Sequence, residues 1–124
     1  MKALIVEYNV NNLLLENDLL ENAGYEVFTA ATANLGIVMA KKEQPDIIIM
    51  DVRLPDMNGT NAARILKKDI ETCHIPIVFV TASVTADGME EISTVQDAGF
   101  IGKPINTRTF VDQITQYIKK GLRR

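Results

Sequence analysis

The chain has 124 residues, 47% hydrophobic and 23% charged, the proportions of a folded globular domain rather than a disordered one. Thirteen Lys and Arg stand against 16 Asp and Glu, a net charge of −3 that argues against nucleic acid as a partner. The single cysteine, Cys73, cannot form an internal disulfide, and no apolar stretch is long enough for an export signal or a membrane span. Together these point to a reducing cytoplasm and no membrane partner. Length and the lack of any linker predict one domain over residues 1–124, with a core from about 2 to 120. Lys119, Lys120, Arg123 and Arg124 form a basic tail (119–124), and without them residues 1–118 hold 9 basic against 16 acidic residues. Cations at the end of a last helix would complement its dipole.

Apolar runs alternate with helix-like stretches five times. Ala3 to Val6 is a short apolar run that predicts a strand. Asn11 or Asn12 caps a first helix carrying Leu13, Leu14, Leu15, Leu19, Leu20 and Ala23, and Gly24 ends it. Tyr25 to Thr29 predicts the second strand. Thr32 or Asn34 caps a second helix that runs to about Glu43, before Pro45. Ile47 to Met50 is apolar at every position, which predicts a strand covered on both faces, as parallel sheets require. A third helix is expected from Asn61 to about Ile70, and a fourth strand from Ile77 to Val80. A fourth helix follows from about Asp87 to Gln96, then a short strand Phe100–Gly102. A last helix starts near Thr107, with Phe110, Ile114, Tyr117 and Ile118 on one face. Five such units without a hairpin signal predict an α/β domain with a doubly wound parallel sheet.

In such sheets the site forms where the carboxyl ends of the strands meet the loops. Glu7, Tyr8 and Asn9 follow the first strand, Asp51 the third, Thr81 the fourth and Lys103 the fifth. Singly, each has an ordinary use as a helix cap, a turn residue or a solvated charge. Two carboxylates, a hydroxyl and an ammonium on one rim suit phosphoryl transfer to a carboxylate. Asp51 would be the nucleophile, Lys103 would pair with the phosphoryl oxygens and Thr81 would donate a hydrogen bond to one of them.

These residues, with the run Asp51 to Gly59, Thr81-Ala82-Ser83 and Phe100 to Ile105, resemble the receiver domain of bacterial two-component response regulators, of the chemotaxis-type, stand-alone kind. The resemblance covers about Lys2 to Lys119. It implies a flavodoxin-like, five-stranded parallel sheet in the order 2-1-3-4-5 with five helices. It makes Asp51 the phosphoacceptor, fed by a histidine kinase or a histidine phosphotransfer protein and read by an output protein. Thr81, Lys103 and Phe100 become the switch and phosphate-contacting residues. Glu7, Asp51 and the main-chain carbonyl of Arg53 become ligands of Mg²⁺, and the Lys103–Pro104 peptide is expected to be cis.

The family pattern has two adjacent acidic residues after the first strand, and here Tyr8 fills the second position. A neutral phenol is a poor ligand for a hard divalent cation, and its ring is expected to crowd the pocket, so weakened Mg²⁺ affinity follows. Tyr8 also opens a second reading, a pseudo-receiver that binds partners without phosphorylation. A third is the receiver half of a longer regulator. An enzyme on the same fold is disfavoured: no Gly-rich phosphate loop occurs, and Arg53 stands where a dehalogenase-type phosphatase needs a second Asp. Ser93 to Gln96 departs from the family's small-residue stretch, so an output partner is not carried over. Cys73 and His74 read as loop residues, since no second Cys or His exists to complete a zinc site.

Overall fold

The computed structural model describes residues 1–82, 86–95 and 97–122, except for the side chains of 86–89 and 121–122. The elements run β1 (Lys2–Val6), α1 (Val10–Asn22), β2 (Glu26–Ala30), α2 (Ala33–Glu43), β3 (Ile47–Met50), α3 (Gly59–Lys68), β4 (Ile77–Thr81), α4 (Ala86–Ser93), β5 (Ala98–Gly102) and α5 (Phe110–Leu122). The strands form one parallel sheet in the order β2-β1-β3-β4-β5, as expected.

Alternate side chains leave a strand on opposite faces, and here both faces are covered. Leu4, Val6, Ile48, Met50, Ile77 and Phe79 join Ala33, Ala40, Ala62, Ala63, Leu66 and Ile92 in one core. Ala3, Ile5, Ile47, Ile49, Val78, Val80 and Ile101 join Leu20, Phe110, Ile114 and Ile118 in the other. So α2, α3 and α4 cover one face, and α1 and α5 cover the other. The central strands β3 and β4 are buried at every position, whereas β2 and β5 at the edges are not.

Several boundaries differ from the sequence reading. The cap of α1 is Asn9, not Asn11 or Asn12; its side chain accepts the Asn12 N–H at 3.1 Å. At the other end Gly24 takes a left-handed φ of 95°. The Gly24 N–H bonds Glu21 O and the Tyr25 N–H bonds Leu20 O, each at 3.0 Å, closing the helix. Tyr25 is thereby spent on the cap, and β2 begins one residue later.

The third helix starts at Gly59 behind the Asn58 cap and stops at Lys68, short of Ile70. The Asp69 carboxylate accepts the Glu71 N–H at 2.9 Å and pairs with Lys41 at 2.9 Å, which turns the chain and leaves Ile70 87% exposed. The final helix begins at Phe110, later than Thr107, and its last turn carries Lys119 and Lys120. Ser83, Gln96, Arg123 and Arg124 lie outside the described residues.

Candidate functional site

Strand register assembles the site. Val6 pairs with Met50, so the next residues, Glu7 and Asp51, emerge side by side. Thr81 pairs with Gly102, so Lys103 emerges beside the end of β4, and its N–H donates to Thr81 O at 2.9 Å. Side-chain parity then selects a face. Residues 3, 5 and 7, then 47, 49 and 51, then 101 and 103 alternate onto the α1/α5 side. Glu7, Asp51 and Lys103 therefore converge there, while Thr81, at 1% exposure, follows the parity of Ile77 and Phe79 on the other side.

The three groups meet. Lys103 Nζ lies 2.5 Å from Glu7 Oε1 and 3.1 Å from Asp51 Oδ2. The remaining carboxylate oxygens accept main-chain N–H groups: Asn9 on Glu7 Oε2 at 3.3 Å and Arg53 on Asp51 Oδ1 at 3.2 Å. Burial raises the Glu7 carboxyl above its ordinary value; Lys103 pulls it back and Asp51 pushes it further up. Burial lowers the Lys103 amine, but Glu7 and Asp51 outweigh this and hold it above its ordinary value. One ammonium thus serves two carboxylates, and the rim keeps a net negative charge.

The loop after β3 is braced on three sides. Arg53 and Asn58 form an isolated bridge. The Gly59 N–H donates to Val52 O at 2.6 Å. The Asp56 carboxylate accepts the Ala33 and Asn34 N–H groups, at 2.9 and 2.8 Å, at the start of α2. These bonds hold its carboxyl below the usual carboxylate range.

Tyr8 does not crowd the pocket: it is 61% exposed and its ring lies mostly in solvent. Phe100 sits on the edge strand, 41% exposed. The Lys103–Pro104 peptide is cis. The donor set expected for a metal is two carboxylates and a main-chain carbonyl, all hard oxygens; among the described residues no three Asp, Glu, His or Cys side chains stand together in a way that could hold an ion by themselves. That set fits a Mg²⁺ ion that keeps several of its waters.

Sequence reading passed over one residue. Glu16 on α1 is 2% exposed and lines a small recess together with Lys103. Its spacing carried the signal: it falls three residues after Leu13 and four before Leu20, on the helix's inner face, while Leu14 and Leu15 face solvent.

The family model for the response regulator receiver domain matches residues 3–115. The polar-differentiation response regulator DivK of Brucella ovis is 35% identical over 115 residues, covering 93% of this chain and 94% of that protein. The chemotaxis response regulator CheY4 of Vibrio cholerae has a similar structure, with a TM-score of 0.87 at 28% identity over 94% of this chain and 97% of that one. The receiver domain of the sensor histidine kinase PA1611 of Pseudomonas aeruginosa, whose active-site cleft coordinates magnesium, shares the fold with a TM-score of 0.88 at 24% identity, covering 95% of this chain and 97% of that one. No described helix is long and apolar enough to cross a membrane. Fold, site and sequence agree: the chain belongs to the response regulator receiver domain family of two-component signalling, whose members are typically phosphorylated on an aspartate.

Proposed function

We propose that Asp51 is the phosphoacceptor of a single receiver domain spanning this chain. Its carboxylate attacks phosphorus, forming a P–O bond as the P–N bond to a donor histidine breaks. The donor is a histidine kinase or a histidine phosphotransfer protein. The observation that carries this is the Lys103 ammonium, 3.1 Å from Asp51 Oδ2, poised to pair with the phosphoryl oxygens. Thr81 and Phe100 then respond to the new charge, and an output protein reads the altered surface. The product is a signal rather than a converted substrate, so the chain is not an enzyme in the turnover sense.

Glu7, Asp51 and the Arg53 carbonyl would hold Mg²⁺, which neutralises charge on the transferring group when bound. The neutral, solvent-facing Tyr8 adds no ligand, and affinity is lower than an acid at that position would give. No observation favours the pseudo-receiver. The net charge of −3 supports protein partners over nucleic acid or a membrane surface, and the lone Cys73 supports a cytoplasmic setting. Intact-mass measurement after incubation with acetyl phosphate and Mg²⁺ tests the acceptor. One phosphoryl group is expected on the wild type and none on Asp51→Asn; equal labelling of both would sink the assignment.

A further inference from the structure

Sheet register places Glu7 beside Asp51, but it does not place Arg53, which lies past the end of that pairing at Met50. Asp56 holds the loop from its far side. One carboxylate oxygen accepts the Ala33 N–H at 2.9 Å and the other accepts the Asn34 N–H at 2.8 Å. Thr32, the cap of α2, accepts the next N–H, that of Leu35, at 3.2 Å. The first turn of α2 is thus capped twice, once by its own Thr32 and once by an acid 22 positions beyond Asn34. The same turn holds Glu7. The Glu7 N–H donates to Ala30 O, at the end of β2, at 3.0 Å. Helix α2 then lies so close to β1 that a Cβ added to Gly36 would stand 2.7 Å from Val6 Cγ2. Residues 30–36 therefore grip two segments: the end of β1 at Val6 and Glu7, and the loop of Arg53 at Asp56.

We propose that Asp56 is a positioning residue for the metal site: by tying its loop to the β2–α2 turn, it holds the Arg53 main-chain carbonyl in place relative to Glu7. This role rests on Glu7, Asp51 and the Arg53 carbonyl being the donors for Mg²⁺. An octahedral ion tolerates little misplacement of its ligands, so donors on separate segments need a fixed spacing. A carboxylate can adjust by turning its side chain, whereas a main-chain carbonyl moves only with its loop. The Arg53–Asn58 bridge and the Gly59 N–H bond to Val52 O close the loop on itself. The two Asp56 bonds fasten it to the turn that also holds Glu7. Asp56 thus acts through the loop, as groups that orient metal ligands from outside the coordination shell do.

The test is Mg²⁺ affinity by calorimetry on the whole chain, for wild type, Asp56→Ala, Asp56→Asn and Thr32→Ala, with thermal unfolding of each without the ion. Thr32→Ala removes a cap from the same turn of α2 without touching the loop, so it reads what a weaker helix start does by itself. Asp56→Asn keeps one oxygen as acceptor. Asp56→Ala is expected to weaken Mg²⁺ binding about tenfold, Asp56→Asn less, and Thr32→Ala by no more than about twofold. Thr32→Ala is expected to lower the unfolding temperature all the same. Affinity in Asp56→Ala no lower than in Thr32→Ala overturns the role of Asp56 and leaves the donor set standing. Where Asp56→Ala does not fold, Asp56→Asn takes its place in that comparison, with the same overturning result. Absence of Mg²⁺ binding by wild type overturns the donor set and the role of Asp56 with it.

Discussion

Gly59 lies against the carbonyl of Asp51: a Cβ placed on Gly59 would stand 2.1 Å from that oxygen and 3.1 Å from Val52 Cα. Both neighbours are backbone and cannot rotate away. Gly59→Ala is therefore expected to displace the loop that carries Asp51 and to lower stability by about 3 kcal/mol. Urea unfolding reads the loss, and a midpoint within error of wild type would refute the close contact.

Lys103→Met removes the cation that pairs with both Glu7 and Asp51. Glu7, 2% exposed, is left beside a like charge, so its folded-state pKa rises further above the unfolded one. The native state then holds a proton that the unfolded chain releases, and stability falls as pH rises. The variant should lose about 3 kcal/mol near pH 8 and much less near pH 5. Thermal unfolding at the two values checks the sign, and an equal loss at both would contradict it.

Tyr8→Asp adds a carboxylate beside Glu7 and should tighten Mg²⁺ binding about tenfold. Tyr25 and Tyr117 remain as fluorescent reporters in a chain with no tryptophan, and calorimetry gives an independent value. Unchanged affinity would mean that position 8 is not what limits the ion.

Glu16→Leu bears on stability. The folded carboxyl titrates at about 8 against 4.5 for the ordinary group, so wild-type stability declines between those values as the unfolded chain ionises and the native chain does not. The variant should gain on the order of 2 kcal/mol near neutral pH, and its advantage should shrink toward pH 4.5. Urea midpoints at the two pH values decide it; an advantage independent of pH would point to packing alone.

Ile47 to Met50, apolar at four consecutive positions, was enough to announce a parallel sheet, and the polar residues after each strand were enough to locate the rim. What escaped was local competition. Asn9, Asn11 and Asn12 are equally good caps by composition, and the choice among them follows from where β1 releases the chain. In α1 a run of leucines disguised the inner face, because Leu14 and Leu15 face solvent while Glu16 does not. Residues 13, 16 and 20 show the true stripe only once a charged residue is allowed on it. The end of α3 depended on Asp69 finding Lys41, a partner 28 positions away that no local pattern reveals.

Lys103 follows the outermost strand of the sheet, whereas Glu7 and Asp51 follow two interior ones. The ammonium consequently works as a cross-brace, tying the rim of β5 past β4 to the middle of the molecule. Any event that recruits this charge elsewhere slackens that tie at its outer anchor, so the edge strand and α5 beyond it are where a change at Asp51 is first felt as mechanical freedom.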